Sequence, residues 1–117
     1  MKHVTSDSIK PFDFGGLRIT DFGPGGTEAA SVAVVAVPRG GRHPKARSTK
    51  SDKYYFCLAG PVAFVVEGKK VMLLAGDLLM ISKGEWFSYA NTTGKKARLF
   101  LVHVPPFDLD AEELKEA

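Results

Sequence analysis

Three histidines, one cysteine and a run of basic residues are the groups in this sequence that could do chemistry. His103 lies between Val102 and Val104. In an extended segment it faces the side opposite to those valines. An imidazole beside a carboxylate can serve as a general base, because its pKa is easily moved toward neutrality. No Asp follows His103 closely enough to make such a pair locally. A lone histidine in a strand is more often packed or hydrogen-bonded than reactive. His43 stands between Arg42 and Pro44, and His3 lies near the start. Cys57 is the only cysteine, so an internal disulfide is excluded. Arg39, Arg42, Lys45, Arg47, Lys50 and Lys53 fall in one stretch, with Asp52 as the only acid among them. That clustering either raises the local concentration of an anionic partner or forms a solvated basic loop.

These groups are carried by strands. Leu17 to Phe22 alternates apolar and polar residues, and Ala29 to Val37 is small and β-branched. Further short apolar runs follow at Tyr54–Leu58, Val62–Val66, Lys70–Leu74, Leu78–Ile81, Trp86–Ala90 and Ala97–Val104. Turn signals separate them: Gly23-Pro24-Gly25-Gly26, Pro38-Arg39-Gly40-Gly41, Gly60-Pro61, Glu67-Gly68, Gly76, Lys83-Gly84 and Asn91–Gly94. Many short strands at even spacing predict an all-β sandwich or barrel. Gly41, Gly60, Gly76 and Gly84 are expected at turns that need positive φ. Asp110 is expected to cap a short C-terminal helix over about 108–116, whose early acids suit the helix dipole.

The chain has 117 residues, of which 44% are hydrophobic and 25% charged, and a net charge of +3. That suits one soluble domain over 1–117 with a core of its own. No apolar run reaches the length of a membrane span. Met1 to Asp7 lacks the apolar stretch of a secretory signal. With a lone cysteine, the expected location is the reducing cytoplasm.

The segment from Gly41 to Asn91 resembles the two motifs of the cupin family. The first motif runs G-x5-H-x-H-x3-4-E-x6-G. Here Gly41 leads to Arg47-Ser48-Thr49, then Lys53, then Gly60. The second runs G-x5-P-x-G-x2-H-x3-N. Here Gly76 leads to Ser82, Gly84, Phe87 and Asn91. The fifteen residues Pro61 to Ala75 separate the two. Tyr55–Gly60, Leu74–Asp77 and Val104–Phe107 also resemble the family's usual sequences. The resemblance implies a double-stranded β-helix, that is, a jelly-roll barrel, and frequent pairing as a homodimer. Trp86, next to inward Phe87, is expected to face outward, where it would suit an interface.

The family's metal ligands map onto Arg47, Thr49, Lys53 and Phe87. Arginine and phenylalanine offer no lone pair, and a protonated lysine repels a cation. The expectation is no metal and no cofactor. The resemblance instead implies that Arg47, Thr49, Lys53, Tyr55 and Cys57 line the barrel with Phe87 and Tyr89. Cys57 there reads as a small hydrophobe, or as a reactive thiol if a cation lowers its pKa. Such a lining suits a small anionic or sugar-like ligand, with Arg47 as a bidentate fork and Lys53 as a point charge. The competing expectation is that both cations reach out to water while Phe87 fills the space. A second reading is a metal-independent isomerase or epimerase that uses His103 with Tyr55 or Tyr89. A third, a protein-interaction or nucleic-acid-binding module, ranks last. The basic stretch it would need overlaps the inward motif.

Overall fold

The computed structural model describes residues 1–23 and 27–115. Residues 24–26 of the expected Gly23–Gly26 break and Glu116 of the expected tail lie outside the described residues. Among the described residues eleven strands form two antiparallel sheets that face each other. The larger sheet contains β1 (Phe12–Phe14), β2 (Leu17–Asp21), β3 (Ser31–Val37), β10 (Ala97–Val104), β5 (Asp52–Ala59) and β8 (Leu78–Ile81), in that order. The smaller contains β11 (Glu112–Leu114), β4 (Arg42–Ser48), β9 (Phe87–Ala90), β6 (Val62–Val66) and β7 (Lys69–Leu73). This is the all-β architecture expected from the spacing of the apolar runs and the jelly roll implied by the cupin resemblance.

Alternation along the strands decides what each sheet turns inward. In β3, Ser31, Ala33, Val35 and Val37 are buried; in β10, Ala97, Leu99, Leu101 and His103 are. In β5 the inward residues are Lys53, Tyr55 and Cys57, and in β9 they are Phe87 and Tyr89. One end of the barrel is filled by packed apolar groups, among them Leu17, Val37, Cys57, Val62, Phe64, Leu73 and Leu99. The other end stays partly open.

Two of the motif glycines act by space and two by conformation. Gly76 and Gly84 have φ of +93° and +86°, a region that side chains rarely adopt. Gly41 and Gly60 do not. A Cβ on Gly41 would meet the Pro38 carbonyl oxygen at 2.9 Å, and one on Gly60 would meet Cys57 Sγ at 2.7 Å. Their expected positive φ is therefore replaced by close backbone approach. Asn91 closes the loop after β9. It donates to the carbonyl oxygens of Val37, Pro38 and Lys95, and accepts from the Thr93 N–H and hydroxyl.

The expected C-terminal helix is absent. A single turn of 3-10 helix, Leu109–Ala111, leads into strand β11 instead. Helix nucleation is costly in so short a segment. The free edge of β4 offers immediate partners: Glu112 pairs with Ser48, Glu113 with Arg47 and Leu114 with Ala46. Alternation then sends Glu112 inward and Glu113 outward. Among the described residues no helix is long and apolar enough to cross a membrane.

Candidate functional site

The open end of the barrel is a cavity of about 350 Å3. Its mouth is apolar, built from Phe12 and Phe14 of β1, Ile19 of β2, and Phe107, Leu109 and Leu114 of the C-terminal segment. Its polar groups are Asp21, Ser31, His43, Lys53, Tyr55, Tyr89, His103 and Glu112. A mostly apolar hollow with a few convergent polar groups is the usual form of a small-molecule site.

Two clusters of side chains contribute to its lining. The first joins β5, β10 and β11. Lys53 is 3% exposed, and its Nζ donates to Glu112 Oε1 at 2.7 Å and to His103 Nε2 at 2.9 Å. Strand register places His103 directly beside Lys53, and β11 brings Glu112 over both. Burial pushes the ammonium pKa down, and Glu112 partly restores it. Burial, reinforced by Lys53, pushes His103 down to about 3. His103 is therefore a neutral acceptor at pH 7, and its ring also packs edge-on against Phe107. Glu112 Oε2 is a buried side-chain oxygen without a hydrogen-bond partner among the described residues.

The second cluster is aromatic. The His43 ring lies 5.0 Å from Phe87, 5.1 Å from Tyr89 and 5.4 Å from Phe14. Its Nδ1 donates to the Pro44 carbonyl oxygen at 2.7 Å. A carbonyl can only accept, so this bond fixes the proton on Nδ1 and leaves the lone pair on Nε2. Burial is the main reason that its pKa falls to about 4; the Pro44 bond opposes this and Lys53 adds to it. Tyr55 and Tyr89 stand in edge contact, 5.6 Å between centroids. Burial pushes both phenols up, so both hydroxyls remain protonated hydrogen-bond donors at neutral pH.

Several expected site residues lie elsewhere. Arg47 faces outward. Its Nε donates to Glu113 at 2.6 Å, and its guanidinium lies over the Trp86 ring at 4.6 Å. Thr49 is exposed past the end of β4, its hydroxyl on the Ala111 carbonyl oxygen. The cause is a bulge in β4. His43 pairs with Tyr89 and Ala46 with Phe87, so three steps on one strand match two on its partner. Ala46 and Ser48 therefore point inward and Arg47 outward. Counting the first motif from Gly40 rather than Gly41, with four residues before Lys53, gives the observed register. Trp86 faces outward as expected, but Arg47 and Lys115 cover it. Phe87 is buried beneath His43 and does not border the cavity. Cys57 is fully buried; burial and Asp77 push its thiol pKa up, away from reactivity.

The sequence reading missed His43 and Glu112 as site residues. His43 was read as part of the basic loop between Arg42 and Pro44, whereas it pairs in register with inward Tyr89 ahead of the bulge. Glu112 was read as a helix-dipole acid. His103 was paired in expectation with a tyrosine, whereas it bonds to Lys53.

A divalent metal does not fit the inward positions of the motifs. They carry a methyl group at Ala46, a hydroxyl at Ser48, an ammonium at Lys53 and a ring at Phe87. Only one of these is a neutral donor, and none is the imidazole or carboxylate that such a centre requires. Among the described residues no three His, Cys, Asp or Glu side chains group as metal ligands.

The cupin domain family matches residues 33–103. No curated protein matches the sequence significantly. Among solved structures, Pac13 of Streptomyces, described as a unique nucleoside dehydratase, superposes with a TM-score of 0.88 at 21% identity. The match covers 99% of this chain and 92% of that one. Variants of that protein solved with uridine carry a histidine-to-glutamine or a tyrosine-to-phenylalanine change. A predicted oxalate decarboxylase from Thermotoga maritima matches with a TM-score of 0.77 at 21% identity, over 88% of this chain and 98% of that one. A cupin-superfamily sugar phosphate isomerase from Silicibacter pomeroyi matches at 0.75 and 17% identity, over 87% and 74%. At these identities the likeness is one of fold.

Proposed function

The chain belongs to the cupin domain family, and we propose that its barrel binds a sugar-like small molecule of the nucleoside type and acts on it by metal-independent acid–base chemistry. The observation that carries this reading is His43. Its Nδ1 is tied to the Pro44 carbonyl, its Nε2 is left with the free lone pair, and the ring sits in the cavity wall beside Tyr89. In this scheme Nε2 takes a proton from the ligand, while the Tyr55 and Tyr89 hydroxyls hydrogen-bond to the oxygen that gains charge. A donor aimed at developing charge in a water-poor site stabilises the transition state more than the ground state. His43 thus takes the part that the sequence suggested for His103. The dehydratase likeness supports the reading through residue type: a histidine and tyrosines are what the uridine-bound Pac13 variants alter.

The test uses thermal unfolding and turnover with a panel of neutral nucleosides, carbonyl-bearing sugar derivatives of them, aldoses and ketoses. A ligand at a hundred times its dissociation constant should stabilise the fold by about 2.7 kcal/mol. His43→Gln should keep binding and lose turnover, read as deuterium incorporation or water loss by NMR. Arg47→Ala should change neither. Absence of any binder, or full turnover in His43→Gln, would sink the proposal.

A further inference from the structure

The cations that suggested an anion pocket are either outside the barrel or already matched. Arg47 is paired with Glu113, and Lys50 with Asp108, both on the outer surface. Lys53 is the one cation that borders the cavity among the described residues, and it is bound to Glu112 at 2.7 Å. Two carboxylates border the same space, Glu112 and Asp21. Asp21 Oδ1 accepts from the Gly23 N–H at 2.7 Å. Both cavity histidines are neutral at pH 7. Lys53 is therefore matched by Glu112, a second carboxylate borders the same cavity, and among the described residues no other cation borders it to attract an anion.

The bonding valences left over are specific. A lysine ammonium has three N–H donors. Two of those on Lys53 go to Glu112 and His103. Glu112 keeps one buried oxygen, Oε2, with nothing to accept from. A ligand hydroxyl can accept from the free N–H and donate to Oε2, so it satisfies both. A phosphate dianion can only accept, and it would sit against a carboxylate in a partly desolvated space. Sites built to hydrogen-bond a hydroxyl discriminate strongly, because the wrong group leaves their polar atoms unpaired.

We infer that Glu112, delivered by the C-terminal strand, makes the cavity selective for uncharged, hydroxyl-bearing ligands and excludes their phosphorylated forms. This rests on the sugar-like or nucleoside reading of the site and names its substrate class. Glu112 is then the specificity-determining residue. Replacing its carboxylate should deprive Lys53 of its ion-pair partner and shift the preference toward anions.

The experiment compares uridine with uridine 5′-monophosphate, and ribose with ribose 5-phosphate, by titration calorimetry at pH 7.5. The wild-type protein should bind a neutral member at least tenfold more tightly than its phosphate. In Glu112→Gln, which keeps the side-chain shape, the ratio should shrink tenfold or invert. A circular dichroism melt establishes that the variant is folded. The wild-type comparison stands by itself if it is not. Equal or tighter binding of the phosphates by the wild-type protein overturns the inference while leaving the sugar-like reading intact. An unchanged ratio in folded Glu112→Gln removes Glu112 from the role. Binding of neither member of either pair overturns the reading beneath the inference, and the inference with it.

Discussion

Replacing Lys53 by methionine tests the polar cluster at its centre. Methionine matches the length of the lysine stem but supplies no N–H. Glu112 would lose the partner of Oε1 while Oε2 already lacks one, and His103 Nε2 would lose its donor. Removing one member of a buried ion pair typically costs about 3–5 kcal/mol. The Glu112 side chain is 14% exposed, so water reaches part of it, and the lower end of that range applies. A loss of about 3 kcal/mol should lower the midpoint of a domain this size by roughly 10 °C. The double variant Lys53→Met, Glu112→Leu removes both charges together. It should recover about 2 kcal/mol of the loss, because apolar replacement of a whole buried pair is often neutral. The remaining deficit reflects His103, whose ring nitrogen stays unpaired. Urea unfolding of the four proteins at pH 7, followed by Trp86 fluorescence, gives the coupling energy directly. A Lys53→Met protein within 1 kcal/mol of wild type, or a double variant as unstable as the two singles summed, would show that the cluster is not a desolvated unit.

Two further outcomes follow from burial. His43 and His103 are held neutral, at about 4 and about 3, against 6.5 in the unfolded chain. Their depressed values mean that stability is fully present above pH 6.5 and falls as protons bind the unfolded chain first. The slope should approach about 2.7 kcal/mol per pH unit between pH 6 and 4. Urea titrations across that interval should show it, and His43→Phe, which suits the surrounding rings, should halve it; a flat profile would contradict buried neutral imidazoles. We also propose that the outer face of the larger sheet pairs with a second copy. Exposed Phe56, Leu58, Leu78 and Met80 adjoin Phe100 and Val34 through the ladder, a continuous apolar area rather than scattered side chains. Sedimentation should give a dimer, and Phe56→Glu, Leu78→Glu a monomer; a monomeric wild-type protein would refute the assignment.

The fold was legible because its signals are local. Each strand run has a period of two, and the motif glycines answer steric needs within a few residues of themselves. The inward set on β5 followed from the same period: Lys53, Tyr55 and Cys57 are all buried. The site was less legible because two nonlocal events decide it. The β4 bulge depends on how Pro44 and Lys45 sit against β9, and it reverses the phase of everything from Ala46 to Ser48. A one-residue change of phase exchanges inside for outside, so Arg47 left the cavity. The second event is the docking of β11. Asp110 to Lys115 has helix-like composition, yet the edge of β4, the outward Arg47–Glu113 pair and the inward Lys53–Glu112 pair all reward an extended conformation. Both errors are linked: once Arg47 faces out, it becomes a partner for Glu113, and alternation then carries Glu112 in.

That linkage also explains how the barrel can do polar chemistry with the donor set it has. A divalent ion in such a barrel would concentrate positive charge at one point and polarise whatever oxygen it touched. Here the corresponding space holds the Lys53 ammonium, 5.5 Å from the centre of the Phe87 ring, with its charge opposed by Glu112. The result is a set of N–H and O–H donors, Lys53, Tyr55 and Tyr89, that borders the same cavity as the unprotonated His43 Nε2. In the proposed function such a set would orient a hydroxyl-bearing ligand and stabilise an oxygen as it gains charge. On that reading the role depends on the C-terminal strand keeping Glu112 on Lys53, which ties the strand farthest along the chain to residues in its middle.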